Sequence, residues 1–171
     1  MQAPLLYPLK FQSIIKEKIW GGERLNHLLS KSIDNKKCGE LWEIADVGDD
    51  VSVVENGSFK GKTLTQLIEQ FKSDLLGHKV FKEFGSKFPL LVKFIDANRD
   101  LSIQVHPNDL QAKKKKALGK TEFWYVLEAN EGATLYSGFS KCISPQQFEL
   151  ALNDQTFTDQ RFFRLSPAIR D

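Results

Sequence analysis

The sequence has little of what would mark a disulfide-stapled, membrane-spanning or nucleic-acid-binding protein. Only two of its 171 residues are cysteines, and Cys38 and Cys142 lie so far apart that no disulfide framework is predicted. No apolar run approaches the roughly 20 residues that span a bilayer, and no apolar signal segment is present. The 24 basic and 22 acidic residues nearly balance, without the basic stripe of a nucleic-acid binder. These absences predict a protein of the reducing cytoplasm with neither nucleic acid nor membrane as partner.

What the sequence does have is enough apolar material for one substantial core, with 41% hydrophobic residues and neither an internal repeat nor a low-complexity linker. A single domain covering residues 1–171 is therefore predicted. Branched and aromatic runs predict strands, which are 5–19, 39–45, 51–54, 90–96, 101–106 and 122–127. Helical spacing and capping residues predict helices, which are 23–30, 63–76, 108–118 and 144–153. The predicted class is mainly β with appended helices.

Three polar residues in two of the predicted strands have the chemistry of a divalent metal site. Gln104 and His106 are two residues apart, so an extended strand would point both to the same face. Glu122 opens the next strand, and a hairpin or short crossover would bring its carboxylate beside them. An amide oxygen, an imidazole and a carboxylate suit Zn²⁺ or a similar first-row ion. A fourth protein ligand is not evident.

Each of these residues also has an ordinary structural interpretation. A histidine such as His106 is more often a hydrogen-bonded structural residue than a ligand, and Gln104 and Glu122 alone would be unremarked strand residues. The run Lys113–Lys116 would project in all directions from a helix, which favours a solvated face over a polyanion site. The tryptophans are more often core residues than the lining of a sugar pocket; they are Trp20, Trp42 and Trp124.

Five motifs occur in one order along residues 9–163 and together carry a family resemblance. They are Ile19-Trp-Gly-Gly22, Gly39-Glu-Leu-Trp-Glu-Ile44, Phe88-Pro-Leu-Leu-Val-Lys-Phe-Ile-Asp96, Gln104-Val-His-Pro-Asn-Asp109 and Gly119-Lys-Thr-Glu-Phe-Trp-Tyr-Val-Leu127. In these segments the chain resembles the type I mannose-6-phosphate isomerases, which are phosphomannose isomerases of the cupin superfamily. The resemblance implies a cupin-like (jelly-roll) β-barrel and a metal-dependent interconversion of mannose 6-phosphate and fructose 6-phosphate through an enediol(ate).

The resemblance also assigns roles to residues of this chain. It implies that one Zn²⁺, with Mn²⁺ or Fe²⁺ as alternatives, is held by Gln104, His106 and Glu122. It further implies a sugar-phosphate substrate whose phosphate lies near Lys93, Ser102 and Lys120, for which ammonium and hydroxyl groups are suitable partners.

In two respects the sequence departs from the family pattern. The family's second histidine ligand has no counterpart after Glu122, and His27 and His78 lie outside the ligand motif. The family's catalytic arginine is not matched either, since the sequence around the last three arginines (Arg161, Arg164 and Arg170) differs from the family's. We therefore assign no catalytic base or arginine.

Because of these departures we expect a chain that lacks the C-terminal part of the family, an incomplete barrel, and low or absent isomerase activity for residues 1–171 alone. Unpaired barrel edges would favour a homo-dimer. The alternatives are a non-catalytic cupin module that binds a sugar phosphate or metal, and a structural remnant that binds no metal.

Overall fold

The computed structural model describes residues 5–28, 37–114, 117–154 and 163–167. Contacts within the chain divide it into two compact units, residues 1–101 and residues 102–171. This division does not decide whether residues 1–171 form the single cupin-type domain that the sequence predicts, which stays a prediction. Each unit is described by itself.

The first unit is built on a three-stranded antiparallel sheet. Its strands are β1 (Ile14–Gly22), β2 (Cys38–Ile44) and β5 (Val92–Ile95), in the order β1-β2-β5. Lys16 lies opposite Glu40, and Trp42 lies opposite Lys93. Residues that face each other across antiparallel strands share one face of the sheet, so these four side chains lie together on one face. The predicted strands 39–45 and 90–96 are confirmed.

The remaining strands of the first unit are short. β3 (Asp46–Val47) and β4 (Asp50–Val51) form an antiparallel pair of two residues each. Val54 makes an isolated bridge with Phe11, and Val53 makes another with Thr63. The predicted strand 51–54 is thus reduced to the end of β4 and two bridges. The predicted strand 5–19 begins only at Ile14 and continues to Gly22.

Two apolar clusters hold the first unit together. Leu25, Cys38 and Leu41 form one, packed against Phe94. Val54, Phe59 and Leu67 form the other, and residues of the N-terminal segment and of the helices pack around it. Within it the rings of Phe59 and Tyr7 stack with centroids 5.3 Å apart. The second cluster therefore fixes the N-terminal segment against the helices that follow the sheet.

Helices occupy the connection between β4 and β5. It contains a 3₁₀ turn at Gly57–Phe59 followed by α2 (Leu64–Phe71), α3 (Ser73–Leu76) and α4 (His78–Phe84), whereas α1 (Arg24–Leu28) lies between β1 and β2. The predicted helix 63–76 is confirmed in position, and Thr63 caps it. It is interrupted at Lys72, whose φ of 50° lies outside the helical region. α4 is not predicted by the sequence pattern, and residues 29–30 of the predicted helix 23–30 lie outside the described residues.

The second unit contains α5 (Asp109–Lys113), β6 (Thr134–Phe139), α6 (Pro145–Asn153) and β7 (Phe163–Pro167). β6 and β7 pair antiparallel. The prediction of a helix at 144–153 is confirmed, with Ser144 as N-cap and Pro145 in the first turn. The helix predicted at 108–118 starts as expected and ends early, at Lys113. Residues 115–116 of the lysine run lie outside the described part of the chain.

Two strand predictions in the second unit are wrong. Residues 101–106 and 122–127 have no regular secondary structure. A strand needs a neighbour to take up its backbone hydrogen bonds, and no ladder is assigned to either segment within the described residues. Their apolar side chains are correspondingly exposed, Val105 at 77% and Phe123 at 91%.

The fold class is confirmed at the level of antiparallel sheets with added helices. The cupin-like (jelly-roll) barrel stays a prediction. In the described ranges, no helix combines the length and the apolar character needed to cross a membrane.

Candidate metal and substrate site

The second unit brings three of the predicted site residues together. The Nε2 atom of His106 lies 3.3 Å from Oε2 of Glu122, and the Nζ atom of Lys120 lies 3.2 Å from Oε1 of the same carboxylate. The side chains of His106 and Glu122 are partly buried, at 24% and 30% exposure. Each oxygen of Glu122 therefore faces a different nitrogen, and an imidazole, a carboxylate and an ammonium group meet at one point.

Gln104 belongs to the same segment and contacts Ser102. Its Nε2 donates a hydrogen bond to Oγ of Ser102 over 3.0 Å. Side chains two residues apart meet in this way when both lie on one side of a locally extended chain. Because the amide nitrogen makes this bond, the amide oxygen is the atom suited to a cation. The structure thus joins Gln104 to Ser102, and His106 to Glu122 and Lys120.

Lys93 lies in the first unit, where it pairs with a glutamate that the sequence analysis did not single out. Its Nζ is 3.1 Å from Oε1 of Glu40, and Nε1 of Trp42 donates to Oε2 of Glu40 over 2.8 Å. Burial disfavours the charged form of Glu40, but the hydrogen bonds from Trp42 and Lys93 outweigh it and lower the pKa of the carboxyl. The ammonium group of Lys93 therefore has a fixed, charged partner.

The sequence contains a signal that Glu40 is a buried carboxylate in need of a partner, apart from its place in a family motif. Glu40 and Trp42 are two apart in a predicted strand, so they share a face, and Glu40 is the one acidic residue among the four consecutive buried positions that open β2. A carboxylate at such a position needs a partner. A lysine on the neighbouring strand, such as Lys93, was the candidate.

The donor atoms of His106 and Glu122 are spaced as two ligands of one first-row divalent ion would be. With bonds of about 2.0–2.2 Å, two ligand atoms of a tetrahedral Zn²⁺ lie roughly 3.4 Å apart, close to the 3.3 Å between the His106 and Glu122 atoms. The described residues contain no group of three or more His, Cys, Asp or Glu suited to a metal. The candidate set has two residues of those types, and Gln104 is the third member.

Among the other residues considered from sequence, His27 lies in α1 of the first unit. His78 begins α4 and is exposed. Of the three tail arginines, Arg161 and Arg170 lie outside the described residues, while Arg164 is described only as part of the backbone of β7.

An imidazole, a carboxylate and an ammonium group that meet at one point are residue types from which catalytic and ligand-binding sites are built. Comparison with known proteins makes this class specific. Residues 8–135 match the family model of the phosphomannose isomerase type I catalytic domain. The chain therefore belongs to the type I phosphomannose isomerase family, as the five motifs predicted.

Individual relatives agree with this assignment. The chain is 43% identical over 132 residues to a mannose-6-phosphate isomerase of Streptococcus mutans, covering 77% of this chain and 40% of that protein. It is 41% identical over 133 residues to mannose-6-phosphate isomerase ManA of Bacillus subtilis, again covering 77% and 40%. The chain thus spans about two fifths of the length of these relatives.

A solved structure extends the likeness to the fold. The crystal structure of the mannose 6-phosphate isomerase from Bacillus subtilis superposes with a TM-score of 0.80 at 34% identity, over 95% of this chain and 50% of that one. The likeness therefore includes the second unit, which carries His106 and Glu122.

Proposed function

We propose that this chain carries metal-binding and phosphate-binding residues of an aldose–ketose isomerase, which interconverts mannose 6-phosphate and fructose 6-phosphate through an enediol(ate). The supporting observation is the meeting of His106, Glu122 and Lys120 at one point in a member of this family. We further propose a cupin-like jelly-roll barrel as the frame of the site.

The proposed metal ligands are Gln104, His106 and Glu122, with Zn²⁺ as the ion and Mn²⁺ or Fe²⁺ as alternatives. The bound cation would supply stabilisation of the negative charge that develops on substrate oxygens when a proton leaves the carbon beside a carbonyl. His106 acts as a ligand through Nε2, and Glu122 through Oε2, the two atoms that face each other. Their partial burial limits competition from bulk water.

The proposed phosphate contacts are Lys93, Ser102 and Lys120. Lys120 lies beside Glu122, 3.2 Å from its carboxylate, with 45% of its side chain exposed and accessible to an anion. Lys93 is held more firmly, by the nearly buried carboxylate of Glu40. A lysine whose position is set by a carboxylate loses less side-chain entropy when an anion arrives. Ser102 would add a hydroxyl donor.

The proton transfer between C1 and C2 needs a group other than the metal ligands. Glu122 cannot serve as that base while its carboxylate binds a cation. We assign the acid/base role to none of the described residues.

The experiment that tests this function combines metal analysis with isotope exchange. We expect the purified chain to bind about one equivalent of added Zn²⁺ and to exchange the C2 proton of mannose 6-phosphate with D₂O at a low rate, followed by NMR. His106→Ala should lose both properties. His78→Ala removes an exposed histidine outside the cluster and is the matched control.

The two results separate the alternatives. Saturable metal binding without proton exchange would indicate the non-catalytic module instead, and neither metal nor exchange would indicate a structural remnant. We also expect a coupled assay to give far lower turnover than the Bacillus subtilis relative, because this chain offers three candidate ligands and no matched catalytic arginine. Equal turnover would contradict that expectation.

A further inference from the structure

We propose that Asp109 and Gly119 are positioning residues, which hold the Glu122 segment against the His106 segment before any metal arrives. This inference rests on the proposed metal-binding role of that pair. No hydrogen-bonded ladder joins the two segments among the described residues, so another device must set the 3.3 Å separation between His106 and Glu122.

Two hydrogen bonds close the loop between the ligands. The backbone N–H of Gly119 donates to Oδ1 of Asp109 over 3.1 Å. The backbone N–H of Lys120 donates to the carbonyl oxygen of Pro107 over 3.1 Å. We call this pair of bonds the loop clamp. Pro107 directly follows His106, and Lys120 lies two residues before Glu122. A change in the backbone at the loop clamp would therefore move the side chains of His106 and Glu122 directly.

Asp109 is itself held in place by the start of α5. Asn108 caps this helix: its side chain accepts from the N–H of Gln111 over 3.0 Å, and the Gln111 side chain accepts from the N–H of Asn108 over 3.2 Å. Ala112, on the same helix, is buried. The carboxylate of Asp109 therefore extends from a capped, anchored turn and presents a fixed acceptor to Gly119.

The partner position requires glycine because the two chain segments approach closely. A Cβ atom at residue 119 would lie 2.5 Å from Oδ1 of Asp109, 2.7 Å from its backbone nitrogen and 2.9 Å from the carbonyl carbon of Asn108. Two of these three atoms belong to the backbone, so rotating a side chain cannot relieve the clash. Any larger side chain would push the 119–122 segment away from 107–109, and Glu122 away from His106.

The test uses the full chain without metal and measures the clamp and its consequence separately. Asp109→Ala removes the acceptor, Asp109→Asn keeps an acceptor oxygen in the same place, and Glu149→Ala removes an exposed carboxylate from α6 as the control. Hydrogen exchange at Gly119 and Lys120 reports the clamp, and the nuclear Overhauser effect between the His106 ring and the Glu122 side chain reports their proximity. Chelator competition with Zn²⁺ then gives the affinity.

We expect Asp109→Ala to speed exchange at Gly119 and Lys120 about tenfold or more and to weaken the His106–Glu122 Overhauser effect, while exchange in α6 stays unchanged. Zn²⁺ affinity should fall about 10- to 100-fold, the usual effect of losing a group that orients a ligand. Asp109→Asn should recover most of each loss. Gly119→Ala should reproduce the loss with Asp109 intact.

Three results would overturn the proposal. If the amide of Gly119 exchanges in the Asp109→Ala variant at the same rate as in wild type, the loop clamp does not form. Faster exchange with an unchanged Overhauser effect would show loop closure without positioning, and faster exchange in α6 as well would show a general structural role. A wild-type chain that binds no Zn²⁺ would instead overturn the proposed metal site, and the Overhauser effect would still decide whether Asp109 sets the His106–Glu122 separation.

Discussion

Glu40 and Glu122 are both carboxylates beside a lysine, and they differ in burial. Glu40 is 9% exposed and also accepts from Trp42, whereas Lys120 beside Glu122 is 45% exposed. Solvent-exposed pairs contribute only about 0–1 kcal/mol to stability. The exposed Lys120–Glu122 pair therefore adds little to folding, while the Glu40 pair stabilises the sheet.

This difference predicts a pH-dependent stability at Glu40. The pKa of Glu40 is lowered on folding from its ordinary value of about 4.5, so the folded state holds fewer protons than the unfolded state at mildly acidic pH. Its contribution is complete above the ordinary value and is lost as the pH falls through the lower, folded-state pKa. Glu40→Gln should lower the free energy of unfolding by roughly 1–3 kcal/mol at pH 7.

Chemical denaturation at several pH values checks this. The gap between wild type and Glu40→Gln should shrink steadily below the ordinary carboxyl value. Glu55→Gln, which changes an exposed carboxylate of the same unit, should show little difference throughout. A gap of constant size from pH 7 to the acidic range would contradict a charge-dependent role for Glu40.

At the level of residues, the sequence was informative where chemistry is concentrated in short motifs. His106 and Glu122 were predicted to meet, and they do, although loop hydrogen bonds rather than the predicted pair of strands bring their segments together. Glu40 was missed as a partner of Lys93 because the two residues are far apart in sequence. Only the strand register, which places Trp42 opposite Lys93, brings that pair together.

At the level of elements, three helices begin with the same reciprocal cap. Thr63, Asn108 and Ser144 each accept from the N–H of a glutamine three residues on, and that glutamine accepts from the N–H of the cap. Two exposed backbone donors are satisfied at each helix start in this way. Such caps define where a helix begins, and they matter here because short helices have little intrinsic stability.

Thr63 gives a direct measure of this capping. Thr63→Ala removes the oxygen that accepts from Gln66 over 3.2 Å, and should lower the free energy of unfolding by about 1 kcal/mol. Thr63→Ser keeps the hydroxyl and should retain most of the stability. Urea denaturation compares the three proteins. An alanine variant as stable as wild type would show that the cap contributes nothing beyond solvation.

Lys72 explains why one predicted helix became two. Its φ of 50° and ψ of −121° belong to a region that favours glycine. Lysine is a good helix former, so the residue type does not indicate a break. The apolar spacing continues through the break. Leu67 and Leu75 pack in or against the same cluster, so that tertiary packing, and not local preference, determines the backbone at Lys72.

This strain predicts a stabilising substitution. Lys72→Gly should raise the free energy of unfolding by about 1 kcal/mol, because strain of roughly 1–3 kcal/mol is relieved and part of the gain is offset by the chain entropy of glycine. The matched control is Lys82→Gly, at an exposed position within α4, which should destabilise by about 1 kcal/mol. Equal destabilisation by both changes, measured by thermal or urea unfolding, would contradict the strain at Lys72.

Among the described residues many apolar side chains are exposed, and those of the second unit include some of the most exposed. Val105, Phe123 and Tyr125 are 77%, 91% and 71% exposed. These residues come from the two segments for which strands were predicted and no ladder is described. These segments have a strand-like composition, but the predicted strands do not form because, within the described residues, no neighbouring strand takes up their backbone hydrogen bonds.

Exposed apolar surface of this kind predicts self-association of the chain, in line with the dimer proposed from unpaired edges. At about 100 µM, within the µM–mM range where exposed apolar surface drives association, sedimentation equilibrium should give a mass above that of one chain. The double change Phe123→Lys and Tyr125→Lys should shift the equilibrium toward the monomer. Ile19→Lys, at an equally exposed residue of β1 (88% exposed), should have a smaller effect, because one isolated side chain buries less area than two. A monomeric wild type at that concentration, or an Ile19→Lys effect as large as the double change, would contradict association through the second unit.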